Sequence, residues 1–203
     1  MMGLEPLGRM GTPMHVDEPR VLMVDDDEKV AGAYALRLED VADVSVAYSG
    51  EAALDVIDDQ QPPDVVLLDR HMPGLSGDDV LERLRDRQLN TRVIMVTAID
   101  PELGVLDLPF DDYLSKPVDR EDLRAAVDQQ CQVLGYDLLG EYFQLKSTRA
   151  LIEADSVAED ETAQERLTEI DEKLSRTEKR VRGLLPEADE LLETFSSIDR
   201  SAH

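Results

Sequence analysis

Residues 64–69, DVVLLD, restrict the fold more than any other stretch of the chain. Four apolar residues run unbroken between two aspartates. The run is too short for an ordinary helix, and a strand that is apolar on both faces needs cover on both faces. RVLMV (20–24) and RVIMVT (92–97) read the same way. Between and around these runs lie helical patterns of about a dozen residues. One spans 28–39 and another 50–59, opened by Ser49. A third spans 76–87, where Ser76 and Asp79 have the spacing of a capping box. VADVSVAYS (41–49) and DDYLS (111–115) supply two more strands, and 119–134 is a helix with Asp119 as its cap.

Strands that alternate with helices predict βαβ units and a parallel sheet. Five units over residues 20–132 predict a flavodoxin-like, doubly wound α/β fold with strand order 2-1-3-4-5. That order sets the carboxyl ends of strands 1, 3 and 4 side by side, where such sheets bind ligands. After residue 134 the strand signals stop. Residues 134–154 continue helically, and 156–164 is a polar break. Ala163, Leu167, Ile170, Leu174, Thr177, Val181 and Leu184 then repeat at steps of four and three up to Pro186, and 187–198 is one last helix. Residues 133–203 are therefore expected to form an all-α hairpin or coiled-coil tail, and 1–19, rich in Pro and Gly, a flexible N-terminal segment.

The chain has 46 Asp and Glu against 21 Lys and Arg, a formal charge of −25, and only five of the cations are Lys. The acids are spread along the chain. Such a surface repels itself at low ionic strength and is screened in strong salt, which points to a salt-rich cytoplasm. One cysteine, Cys131, excludes a disulfide framework and a Cys-rich metal site. No apolar run approaches the ~18 residues of a membrane span, and the N-terminus lacks the apolar core of a signal peptide. Met10 and Met14 are alternative starts. A cytoplasmic protein that does not touch membranes is expected.

The unusual polar residues fall at one edge of the expected sheet. Strand 1 ends in Asp25 and Asp26, strand 3 in Asp69 and strand 4 in Thr97. Strand 5 is followed by Lys116. Three adjacent carboxylates raise one another's pKa unless a cation neutralises them, and oxygen ligands with partial hydration suit Mg²⁺. Beside such an ion a carboxylate can accept a phosphoryl group. Asp69 is then the acceptor, Asp25 and Asp26 form the metal pocket, and Thr97 and Lys116 sense the phosphoryl group. Reading Asp25 and Asp27 as a phosphatase's Asp-x-Asp nucleophile leaves Asp69 without a role.

VLMVDDD, PDVVLLDRHMPGLSG, VIMVTA and DDYLSKPV together resemble response-regulator receiver domains of two-component signalling, in order and at suitable spacing over about residues 20–132. The resemblance implies that a sensor histidine kinase phosphorylates Asp69. It makes Asp26 the direct Mg²⁺ ligand, Asp25 its acidic partner, and the backbone carbonyl of His71 a further ligand. Thr97 and Lys116 become the switch pair and Tyr113 the switch aromatic; Asp27 is left to cap the first helix. The 19-residue step from Thr97 to Lys116 is a few residues shorter than usual, which predicts a short helix over 99–109.

The whole chain resembles haloarchaeal response regulators that carry a C-terminal HalX domain, for which DNA binding has been suggested. Against DNA, the tail is net acidic and phosphate contacts weaken as salt rises. The heptad leaves two further readings open. One is a parallel homodimer through 163–184, with Arg166 and Lys173 facing Asp171 and Glu178 of a second copy; the other is an intrachain hairpin of 163–184 on 134–152. The output is thus either transcriptional regulation or a protein-interaction or dimerisation switch.

Overall fold

The computed structural model describes residues 18–59, 62–98, 108–154 and 161–198. Five parallel strands form one sheet: β1 (Arg20–Val24), β2 (Asp43–Ala47), β3 (Val65–Leu68), β4 (Arg92–Thr97) and β5 (Asp112–Ser115). Their order is β2-β1-β3-β4-β5, as expected. The helices are α1 (Glu28–Ala35), α2 (Gly50–Asp59), α3 (Gly77–Asp86), α4 (Arg120–Ala154), α5 (Glu161–Leu184) and α6 (Ala188–Ile198). The short helix expected over 99–109 lies almost wholly outside the described residues.

The two faces of the sheet divide the core. Val21, Met23, Val65, Leu67, Ile94 and Val96 point to one side and pack with Ala31, Tyr34 and Leu38 of the α1 region and Leu123, Val127 and Cys131 of α4. Their neighbours Leu22, Val24, Val66, Leu68, Val93 and Met95 point to the other side, against α2 and α3. Strict alternation of Cβ direction along a strand produces this split. It also explains why β1, β3 and β4 are apolar at nearly every position. Burial pushes the Cys131 thiol up to about 12, aided by the charges of Asp64 and Asp128. It is a core residue with no thiolate character at neutral pH.

Helix starts follow the expected caps. Asp27 accepts the amides of Lys29 and Val30 at α1, and Ser49 Oγ accepts that of Ala52 at α2. Ser76 and Asp79 make the reciprocal capping box at α3, and Asp119 accepts the amide of Asp122 at α4. Each bond satisfies an amide left without a partner in the first helical turn.

The tail is an intrachain hairpin. α4 runs for 35 residues and passes through position 132 without a break. Its first turns cover the sheet. Farther on, Leu134, Leu138, Leu139 and Tyr142 meet Val181, Leu184, Leu185, Ala188 and Leu192 in the same continuous core. Gly135 permits this contact, because a Cβ there would lie 2.6 Å from Leu185 Cγ. The heptad positions Ile170, Thr177, Val181 and Leu184 are buried. Two acids that a parallel dimer would use are engaged within the chain: Asp171 pairs with Arg149 at 2.6 Å, and Glu178 with Arg182 at 2.6 Å.

A buried carboxylate joins the tail to the sheet. Asp64, 4% exposed at the start of β3, accepts the Arg20 amide at 2.8 Å and the Arg180 guanidinium of α5 at 2.6 Å. An Asp64→Ala variant should lose about 2 kcal/mol, because both donors lose an acceptor in a mostly dry setting. Urea denaturation in molar KCl measures the loss. Faster amide exchange in α5 than in β3 would place the damage at the tail.

Candidate functional site

The sheet delivers the acids to one edge. The ladder continues one residue past β1, β3 and β5: the Asp25 amide donates to Ala47 O at 3.1 Å, that of Asp69 to Val24 O at 2.8 Å and that of Lys116 to Thr97 O at 2.8 Å. These bonds fix the backbone at the three positions where the chain turns polar. Asp25, Asp26 and Asp69 each place a carboxylate oxygen within 4.8 Å of the other two. Asp25 and Asp69 are buried, at 1% and 6% exposure, while Asp26 is open to solvent. A cluster with two buried acids and one at a wet mouth fits a hard cation that keeps several waters, the habit of Mg²⁺.

Lys116 lies between the two buried acids. Its Nζ donates to Asp25 Oδ2 at 2.6 Å and stands 3.2 Å from Asp69 Oδ1. Burial works to lower the ammonium's pKa, but the Asp25 hydrogen bond and the Asp69 and Asp25 charges outweigh it, so the pKa is raised. The Asp69 carboxyl is also raised: its burial outweighs the charge and hydrogen bond of Lys116, and the Asp25 charge adds to the rise. The site therefore holds a carboxylate at an energetic disadvantage, which one ammonium only partly offsets.

Thr97 is buried, and its Oγ1 lies 3.4 Å from His71 Nδ1. The exposed His71 imidazole thus reaches the site from the loop after β3. That loop is held by Arg70, whose Nε donates to both Asp78 oxygens at 3.1 Å, and it turns at Gly74, where φ is +80°. Tyr113 is half-buried on β5, paired in register with Met95, and its ring centroid is 6.3 Å from that of Phe110.

Three features were hidden from sequence reasoning. Lys116 bridges Asp25 as well as Asp69. Gly77 presses on the backbone of Asp69: a Cβ there would lie 2.2 Å from Asp69 O. The Val118 backbone is held by Tyr34 and Arg37. The separations involved are 91 residues for Lys116–Asp25 and 84 for Tyr34–Val118, and no local pattern encodes such pairs.

Comparison with known proteins identifies the family and the fold. The family model of the response regulator receiver domain matches residues 21–128, and that of the HalX domain matches 132–198. The chain belongs to the response-regulator family, with a receiver domain followed by a HalX domain. A Haloferax volcanii protein called "Putative transcriptional regulator" is 42% identical over 161 residues, which is 78% of this chain and 27% of that protein. The transcriptional regulatory proteins CutR of Streptomyces coelicolor and CpxR of Escherichia coli are each 42% identical over 113 residues, or 53% of this chain. The chain spans 51% of CutR and 47% of CpxR. Among solved structures, the receiver domain of the Francisella response regulator 1452 superposes with a TM-score of 0.52 at 35% identity, covering 56% of this chain and 96% of that one. A CheY-like receiver domain protein of Methanospirillum hungatei does so with 0.52 at 26%, covering 56% and 93%. Among the described residues no helix is long and apolar enough to cross a membrane.

Proposed function

We propose that this chain is a phosphorylation-controlled switch in which Asp69 accepts a phosphoryl group from a sensor histidine kinase and the helical tail transmits the change. The observation that carries the reading is the buried Asp25–Asp69 pair bridged by Lys116, beside a third acid at a solvent-open mouth. An Asp69 carboxylate oxygen attacks phosphorus, the phosphorus–nitrogen bond of the donor's phosphohistidine breaks, and the imidazole nitrogen keeps the electron pair. Asp25, Asp26, Asp69 and the carbonyl of His71 are the groups that would hold Mg²⁺. Bound there, the ion supplies positive charge that lowers repulsion between the acids and the incoming phosphoryl oxygens. Lys116 and Thr97 then serve the new phosphoryl oxygens. Tyr113 and Thr97 pass the rearrangement to the surface formed by β5 and α4.

Incubation with acetyl phosphate and Mg²⁺, then borohydride reduction, tests the assignment. Reduction of an acyl phosphate converts the aspartate to homoserine. Homoserine at position 69 is expected; homoserine at position 25 would overturn the reading.

The division at residue 132 is retained as one of roles, the receiver domain switching and residues 133–203 delivering the output. Transcriptional regulation is the first reading of that output, supported by the names of the relatives. A protein-interaction output is favoured by one observation: Arg149, Arg180 and Arg182 are all paired with acids of this chain. Dimerisation through 163–184 would require α5 to leave α4, because the same seam is buried there. A DNA-binding selection in molar KCl, with wild type and Asp69→Asn after acetyl phosphate, separates the outputs. Recovery of a defined sequence by wild type alone supports the transcriptional reading, and recovery of none supports the protein partner.

A further inference from the structure

The loop after Lys116 is held from an unexpected direction. The Val118 amide donates to the Tyr34 hydroxyl at 3.1 Å, and the Arg37 guanidinium donates to the Val118 carbonyl. Both polar groups of one peptide residue are thus tied to α1 and the turn that follows it. Tyr34 and Val118 are each 5% exposed, so the bond between them has no water as a ready substitute, while Arg37 makes the second bond from a half-exposed position. Arg37 is fixed in turn. Its guanidinium lies 5.1 Å from the Tyr34 ring centroid, and its carbonyl accepts Arg124 Nε at 2.9 Å.

The placement along the chain gives this clamp a meaning. Lys116 is pinned on one side by its own amide, which donates to Thr97 O at 2.8 Å. Two residues later the chain is pinned again at Val118. Between these points, the Nζ must sit 2.6 Å from Asp25 and 3.2 Å from Asp69. α1 begins directly after the Asp25–Asp26 pair, with Asp27 as its cap. One short helix therefore has the site's acids at its start and the fastening of the lysine loop at its end. Helical side chains tilt toward the helix N-terminus, so Tyr34 reaches back toward the edge of the sheet that carries the site, and Arg37 joins it from the turn after α1.

We infer that Tyr34 and Arg37 are positioning residues for Lys116: they hold the Val118 peptide so that the ammonium is already in place between Asp25 and Asp69. This rests on the reading above that Lys116 serves the phosphoryl group at Asp69. The physical reason is preorganisation. An ammonium on a loose loop spends part of its time elsewhere and must be ordered in each event; one on a doubly fastened loop needs no such ordering. Fastening α1 to α4 does not by itself need these two bonds. Arg124 already reaches the Arg37 carbonyl and pairs with Asp40, and Arg120 pairs with Asp40 at 3.2 Å.

The test uses the full chain with Tyr34→Phe and Arg37→Gln, each made alone and together with Lys116→Met. Two quantities are measured: the rate constant for Asp69 phosphorylation by acetyl phosphate at saturating Mg²⁺, and the Mg²⁺ dissociation constant by calorimetry without phosphodonor. In the presence of Lys116, Tyr34→Phe should slow phosphorylation about tenfold. In the Lys116→Met background the same change should cost less than about twofold, because its route of action is already gone. Mg²⁺ affinity should stay within about twofold in both. Equal losses in both backgrounds, no loss in either, or a loss that tracks weakened Mg²⁺ binding would overturn the inference, since a general loosening of α1 gives those results. If Lys116→Met alone is phosphorylated at the wild-type rate, the assigned role of Lys116 falls and the inference falls with it. If Lys116→Met is slow but Tyr34→Phe is not, only the inference fails. Arg37→Gln sits at a half-exposed position and keeps the test decisive should Tyr34→Phe melt early. The Mg²⁺ measurement does the same should the Lys116→Met rate be too slow to read.

Discussion

An Asp69→Asn variant is expected to take up no phosphoryl group from acetyl phosphate and to melt at a higher temperature than wild type at neutral pH. The first half follows from chemistry, since an amide has no carboxylate oxygen to attack phosphorus. The second follows from the burial of Asp69. Its pKa in the folded chain is raised above the unfolded value, chiefly by desolvation, despite the opposing Lys116 charge. For a group raised in this way, stability is highest with the carboxyl protonated and declines as pH rises through the folded pKa. At neutral pH wild type carries that cost and the Asn variant does not. The gap in melting temperature should therefore be present at pH 7 and shrink as pH falls toward the unfolded carboxylate range near ~4. Melting curves across that range, without divalent ions, measure it. Added Mg²⁺ should raise the wild-type melting temperature more than that of the variant, because binding to the folded state alone stabilises it and the variant has lost one acid of the three. A variant that melts below wild type at neutral pH would show that the Lys116–Asp69 contact outweighs desolvation.

A Gly77→Ala variant should be the most disruptive single methyl in the receiver domain. Gly77 opens α3, and its amide donates to the Arg70 carbonyl at 3.0 Å. An added Cβ would lie 2.2 Å from Asp69 O and 2.9 Å from Arg70 Cα, both backbone atoms. No rotamer change relieves such a contact. Either α3 lifts away from the loop or the peptide that carries Asp69 moves. Forced displacement of packed backbone costs about 3 kcal/mol, the upper end of ordinary overpacking. The phosphorylation rate should fall with it, since Asp69 then leaves its place beside Lys116. Gly140→Ala is the control. It lies inside α4 with nothing within 4 Å of an added Cβ, so it should raise stability by about 0.5–1 kcal/mol. Urea denaturation of both variants in molar KCl, paired with the rate measurement on Gly77→Ala, checks the contrast.

The receiver part was legible because its signals are local. The apolar runs at 20–24, 65–68 and 92–97 lie on buried parallel strands, and the caps at Asp27, Ser49, Ser76 and Asp119 open helices. The order of the strands follows from the doubly wound pattern, so the convergence of Asp25, Asp26, Asp69, Thr97 and Lys116 at one edge is legible in the chain order. The tail was harder. A heptad defines a seam and leaves open which helix fills it, so 163–184 fitted a second copy as well as residues 134–152. The structure fills it from within, helped by Gly135, whose missing side chain lets Leu185 seat against α4. The continuity of α4 through position 132 was legible, since 119–134 reads as a helix and 134–154 continues it. The change of composition there marks a change of partner, from sheet to helix hairpin, while the helical backbone runs on.

Local pattern and chain order carry the repeating βα units, the strand order and the edge at which the acids, the threonine and the lysine meet. These depend on periodicity and chain order, which are properties of neighbours along the chain. What Lys116 touches, what holds the loop behind it, which helix covers the heptad, and the tie from Asp64 to Arg180 of the tail are set by folding alone. Those contacts join residues dozens of positions apart. Their free energies arise from desolvation and close packing in one folded arrangement, and no local stretch of the chain carries a record of them.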